Sequence, residues 1–133
     1  MYDLIIIGGG PAGLTAAVYA ARAAKSVLVL EKETAGGQIT LSPQVENIPG
    51  FTSVSGAEFA DKMVDQALTQ GAEIEFGEVI SLEDHGDYKV AVTDTDDRYE
   101  ARADSGNGRG PPAPWSSGRG KVYRQRGVVL RGL

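Results

Sequence analysis

A run of four apolar residues, Leu4-Ile5-Ile6-Ile7, stops at Gly8-Gly9-Gly10-Pro11-Ala12-Gly13, and this junction constrains the fold more than any other part of the chain. A short continuous run of β-branched residues and leucine suits a strand covered on both faces. Beyond the glycines, Leu14, Ala17, Val18 and Ala21 recur at i, i+3, i+4 and i+7 amid small residues, the pattern of a helix lying close on a sheet. Val27-Leu28-Val29-Leu30 then repeats the buried-strand pattern. Strand, helix and strand in so short a span make one β-α-β unit with its strands parallel.

The glycines fall at G-x-G-x-x-G spacing, Gly8, Gly10 and Gly13. In a chain with 18 glycines that spacing alone is weak. It becomes specific because it joins a strand to a helix and because an acidic residue, Glu31, ends the second strand. Gly8 permits the tight turn, Gly10 leaves room for a pyrophosphate, and Gly13 lets the helix approach the strand. The helix start then offers free N–H groups and the positive end of its dipole to a diphosphate. Glu31 is placed to accept hydrogen bonds from a ribose. FAD and NAD both carry an ADP half, so the glycines do not separate them.

Downstream, Thr34 to Pro49 contains Gly36-Gly37 and two prolines and reads as a long loop. Ser55 with Glu58 three residues on predicts a capping box, Val54 a staple onto Phe59, and Phe59, Met63, Ala67 and Leu68 an apolar helical stripe that Gly71 ends. Glu73–Phe76, Val79–Leu82 and Tyr88–Val92 alternate as short strands. The order is β-α-β, loop, helix, strand and antiparallel meander: an α/β fold, a Rossmann-like dinucleotide-binding layout. His85 lies in an acidic turn without a catalytic or metal-binding partner in sequence, and Asp94–Asp97 lacks calcium-loop spacing.

The 133 residues contain no cysteine, so the chain offers no disulfide, no thiolate metal site and no redox-active thiol pair. Apolar runs stay well below the roughly 18 residues of a membrane span. Met1-Tyr2-Asp3 leads straight into the first strand without a secretory signal, so no membrane partner and a cytoplasmic location are expected. Charge is unevenly distributed. Residues 1–103 hold seven basic and seventeen acidic side chains, net −10, whereas 104–133 hold six and one, net +5. The basic tail is rich in Gly, Pro and Arg. It has no periodicity and carries only Trp115 and Tyr123 for base stacking, so a nucleic-acid grip is a poor second reading.

Three segments, Gly8 to Ala23, Gly36-Gly37-Gln38 and Val45-Glu46-Asn47-Ile48-Pro49-Gly50-Phe51, closely resemble the start of the thioredoxin reductases, flavoproteins of the pyridine nucleotide-disulfide oxidoreductase family. The resemblance covers residues 1–103 and implies the N-terminal FAD-binding half-domain. In that family the first motif holds the ADP half of FAD, the Gly-Gly-Gln loop lies along the cofactor, and the Glu-Asn-x-Pro-Gly loop approaches the flavin. Carried over, the cofactor-binding residues are Gly8, Gly10, Pro11, Ala12, Gly13, Glu31, Gly36, Gly37, Gln38 and Asn47. The intact relatives use NADPH, form homodimers and reduce a thioredoxin-like disulfide protein. A cysteine-free relative of the ferredoxin–NADP reductases would share only the first motif.

Family members continue with a strand ending in Ala-Thr-Gly, a Cys-x-x-Cys pair, an NADPH domain and a returning FAD segment. None occurs here. Residues 104–133 instead read as a disordered basic tail, leaving the FAD-binding domain incomplete, its edge strand uncovered, and the chain without catalytic or metal-binding residues. A frameshift near Ala103 is the expected cause of the break. Were Asp104–Gly110 encoded GAT TCT GGC AAC GGG CGC GGA, the frame one base later would read Ile-Leu-Ala-Thr-Gly-Ala. Were Gly127–Leu133 and a stop encoded GGT GTC GTA CTG CGC GGT TTG TGA, it would read Val-Ser-Tyr-Cys-Ala-Val-Cys. The gene sequence tests this: the shifted frame is expected to run on into further family sequence, and a shifted frame that closes or reads as unrelated protein refutes it.

Overall fold

The structure is a computed structural model that describes residues 1–102 and, as backbone strands, residues 122–125 and 128–131. Strand β1 (Leu4–Ile7), helix α1 (Pro11–Arg22) and strand β2 (Val27–Glu31) form the expected unit, with β1 and β2 parallel and Leu4 opposite Val27. A 3-10 turn at Gly37–Leu41 interrupts the segment read as loop, and helix α2 (Gly56–Thr69) leads into strand β3 (Glu73–Phe76), which pairs parallel with β2. Strands β4 (Val79–Asp84), β5 (Tyr88–Thr93) and β6 (Arg98–Arg102) make a separate antiparallel sheet.

Alternation along β1 and β2 builds two cores. Ile6, Val27 and Val29 face the helices and pack with Leu14, Ala17, Val18 and Ala67. Ile5, Leu28 and Leu30 face the other way and pack against Ala91 and Ala101 of the meander. The layers are therefore helices, parallel sheet and antiparallel sheet. Because both faces of β1 and β2 are covered, Leu4–Ile7 and Val27–Leu30 are unbroken apolar runs, and the one polar residue, Glu31, stands at the very end of β2. A further link joins the meander to the start of the chain, where the Tyr2 N–H donates to the Glu100 carbonyl at 2.8 Å and the Arg102 N–H to the Tyr2 carbonyl at 2.9 Å. The Tyr2 hydroxyl donates to Glu73 Oε2 at 2.6 Å, and that bond to a carboxylate holds the phenol up to about 12.

Helix α2 follows its signals in part. Ser55 Oγ accepts from the Glu58 N–H at 3.1 Å, and Gly71 closes the helix with φ +100°. The Glu58 carboxylate turns to Lys62 at 3.8 Å instead of completing a capping box. Phe59 meets the edge of Phe51, ring centroids 6.2 Å apart. The apolar stripe follows the expected one in part, with Met63 and Ala67 on the core side and Leu68 outside it. Gly56, Ala60 and Ala67 are buried, Met63 and Val64 pack on the core, and Leu68 is 47% exposed. Gly56 and Ala60 are small because they pack against the Gly36–Ser42 segment, where a Cβ on Gly56 would stand 1.7 Å from the Ile39 carbonyl oxygen, while Ala67 joins the core shared with α1.

At the other edge of β1 the structure differs from the uncovered strand expected from the sequence. Strand β8 (Val128–Arg131) lies parallel beside β1, with Ile6 opposite Val129, and strand β7 (Val122–Gln125) pairs antiparallel with β8. Val128-Val129-Leu130 is the longest apolar run of the tail, and the free N–H and C=O groups of β1 offer it a ladder. The rest of 103–133, including Trp115 and the disorder expected of this segment, lies outside the described residues.

Close approach of α1 to the turn before it makes Gly13 the most exacting position: a Cβ there would stand 2.0 Å from the Gly8 carbonyl oxygen. Gly13→Ala is expected to destabilise the chain by about 1–3 kcal/mol through overpacking. Leu28→Ala, which hollows the core under the meander, is expected to cost about 2–5 kcal/mol. Urea unfolding followed by circular dichroism reads both, and a Gly13→Ala midpoint equal to the wild type would contradict the packing described.

Candidate functional site

The turn between β1 and α1 is made by backbone alone. Gly8 takes φ +99° and donates its N–H to the Leu30 carbonyl at 2.8 Å, fixing the turn to the end of β2. Gly10 stands at the N-cap in extended conformation and Pro11 follows as the first helical residue. No side chain caps α1, and its first turn holds no acidic residue. The N–H groups of that first turn have no carbonyl one turn earlier to bond, so the positive end of α1 is left unneutralised.

Glu31, at the end of β2, is buried at 8% exposure and reaches back to the same turn. Its Oε2 accepts from the Gly9 N–H at 2.6 Å, and its Oε1 accepts from the Glu33 N–H at 3.0 Å. Lys32 projects outward between Glu33 at 3.7 Å and Glu78 at 4.0 Å, both partners largely exposed, so these ion pairs add little stability.

Above these groups opens a cleft of about 310 Å³ at the carboxyl ends of the parallel strands. Of the residues singled out from the sequence, Gly8, Gly10, Glu31, Gly37 and Gln38 line it. Pro11, Ala12 and Gly13 sit just behind, in the first turn of α1. Gly36 acts from outside the cleft. It is buried with φ +106°, donates its N–H to the Gly9 carbonyl at 2.7 Å, and leaves no room for a side chain, since a Cβ would come within 2.4 Å of the Ala60 Cβ. Asn47 is not gathered into the cleft. It is exposed, in a loop closed by paired backbone bonds between Val45 and Val54 at 2.8 and 3.0 Å.

Sequence reading missed one wall of the cleft. Gly77, Glu78 and Val79 line it because β3 pairs with β2, which carries the β3–β4 junction to the mouth of the site; the Gly77 N–H donates to the Glu31 carbonyl at 2.9 Å. Thr34 and Thr40 supply hydroxyl-bearing side chains on the loop side. The available signal was the rule that open α/β sheets bind ligands beyond the carboxyl ends of their strands, but it names residues only once strand order is known. Among the described residues no cluster of His, Asp or Glu could hold a metal, and no helix is long and apolar enough to cross a membrane. His85 stacks on Tyr88 with ring centroids 4.7 Å apart and bonds Glu83 at 2.8 Å. Hydrogen bonds from Arg98 and, second, with His85 hold the Glu83 carboxyl below its usual range, in the meander and away from the cleft.

Comparison with known proteins places this architecture. The chain is 46% identical over 103 residues to thioredoxin reductase of Bacillus subtilis, an alignment covering 77% of this chain and 32% of that protein. It is 48% identical over 102 residues to a 34.2 kDa protein of the rubredoxin operon of Clostridium pasteurianum, covering 76% and 33%. Among solved structures, thioredoxin reductase of Streptococcus pyogenes superposes with a TM-score of 0.74 at 45% identity, covering 77% of this chain and 33% of that one. The Lactococcus lactis enzyme superposes at 0.73 and 42%, covering 77% and 34%. The chain thus spans about a third of the length of the relatives it matches. The sequence pattern of the pyridine nucleotide-disulphide oxidoreductases matches residues 2–107. An uncapped helix start, a glycine turn held by the next strand and this match over most of the chain lead to one assignment: the chain belongs to the pyridine nucleotide-disulphide oxidoreductase family.

Proposed function

We propose that residues 1–102 form the adenosine-diphosphate side of an FAD-binding domain, belonging to a flavoprotein that passes electrons from NADPH to a disulfide. The observation that carries this reading is the N-terminus of α1, uncapped by any side chain, beside a cleft lined by Gly8 and Gly10 of the preceding turn and by Glu31. A cradle without side chains fits a diphosphate, and a carboxylate beside it fits the hydroxyls of a ribose.

When bound, FAD supplies the flavin ring as the two-electron carrier. The residues of this chain bind and orient it. The Gly8–Gly13 turn and the amides of Ala12 and Gly13 hold the diphosphate, and Pro11 presets the helix start where an N–H would have no partner in the helix. Glu31 accepts from the ribose. Gly36 and Gly37 shape the loop side, and Gln38 presents an amide able to donate and accept. Asn47 is assigned to the flavin end on the resemblance alone.

The names of the relatives support a thioredoxin-like disulfide protein as electron acceptor of the whole flavoprotein; a cytoplasmic homodimer without nucleic-acid or membrane partners is assigned to it on the resemblance alone. No residue of this chain is catalytic. Its 133 residues contain no cysteine, so the disulfide step needs groups the chain does not carry.

The test is calorimetric and kinetic. ADP is expected to bind the purified chain, and FAD to bind no more than about tenfold tighter, because the flavin side adds few contacts. NADPH-dependent disulfide reduction is expected to be undetectable. Absence of ADP binding would overturn the half-site; stoichiometric yellow protein would overturn the weak hold on FAD, and turnover that survives removal of contaminating reductase would overturn the claim that the chain is inactive alone.

A further inference from the structure

Gly9 occupies an unspecified position of the G-x-G-x-x-G spacing, yet both of its polar groups are held from a distance. Its N–H is bound by the Glu31 carboxylate at 2.6 Å and its carbonyl by the Gly36 N–H at 2.7 Å. Glu31 in turn bonds the Glu33 N–H at 3.0 Å, so a single carboxylate straps the glycine turn to the loop that follows β2. The fit is close: a Cβ on Gly9 would lie 3.3 Å from both Cβ and Oε2 of Glu31. A carboxylate has about four acceptor positions on its two oxygens, and two amides engage only part of them.

We infer that Glu31 is a positioning residue for the diphosphate cradle, holding the Gly8–Gly13 turn in its binding shape through the Gly9 amide, in addition to any contact with a ribose. The inference rests on the half-site reading above and deepens it. A ribose acceptor needs only to face the hydroxyls. Glu31 also faces away from them, to two backbone donors on different segments, and the turn it fixes is the one whose amides meet the phosphates. Glu31→Gln keeps the size of the side chain but replaces one acceptor oxygen with an NH₂ group, which sets donor against donor at one of the two amides.

The experiment compares ADP with 2′,3′-dideoxy-ADP, which has no ribose hydroxyls to offer, on the full chain and on Glu31→Gln. A positioning role predicts that the variant binds the dideoxy ligand about tenfold more weakly, the scale of one lost charge-assisted hydrogen bond. Unchanged dideoxy-ADP binding with weakened ADP binding overturns the inference and leaves Glu31 as a ribose acceptor alone. Gly9→Ala, which keeps the carboxylate but crowds it, is expected to weaken both ligands in the same proportion, and it carries the test if Glu31→Gln does not fold. Should the wild-type chain bind neither ligand, the half-site reading fails. The strap is then judged by amide hydrogen exchange at Gly9, expected to be slow in the wild type and faster in Glu31→Gln; equal rates overturn it.

Discussion

Burial of β1 and β2 on both faces governs the rest of the molecule. Ile5 and Ile6 are neighbours in sequence, yet one belongs to the core beneath the meander and the other to the core beneath the helices. Neither core exists without the strand pair between them, and a polar side chain at Ile5, Ile6 or Val27–Leu30 would sit among apolar groups that offer it no partner. The need to cover both faces places α1 and α2 on one side and the antiparallel sheet on the other. The backbone of β1 must also find a partner on the edge away from β2, which β8 provides.

The cleft is a consequence of that same arrangement. Strands β1, β2 and β3 end at one side of the sheet, and the chain leaves each through a turn: the glycine turn after β1, the Glu31–Thr34 segment after β2, and Gly77 after β3. Side chains are scarce at the first of these, so what it presents is backbone and the unpaired N–H groups at the start of α1. The negative charge nearest them is Glu31, and its bonds to Gly9 and Glu33 fix where that charge sits. Gly36 braces the same turn from the loop side.

Much of this could be read from the residues in order. The β-α-β unit was legible because its periodicities are strong and local, and Gly13 because close packing of helix on strand has a known residue requirement. α2 was legible as a helix but only partly in its orientation: Met63 and Ala67 of the expected stripe reach the core, whereas Leu68 does not, and Gly56 and Ala60 are buried against the Gly36–Ser42 segment, which only the folded chain brings there. Glu31 was identified as an acceptor, but its attachment to Gly9 was not visible, since nothing in the spacing distinguishes a carboxylate facing outward from one turned back on the turn. Asn47 illustrates the opposite case: it matches a motif, yet the loop that carries it closes on itself at Val45 and Val54, outside the cleft.

Short-range order therefore came from composition and period: which segments are strands or helices, and where a phosphate-sized gap in the side chains opens. Register and strand order did not, because hydrogen bonds between strands join residues far apart in the chain and carry no local signature. Pairing of β3 with β2 brought Gly77, Glu78 and Val79 to the cleft, and pairing of β8 with β1 set a basic-tail segment against the central strand. Both are decided by competition among backbone donors and acceptors for partners across the sheet, a contest that is settled only when the whole chain is folded.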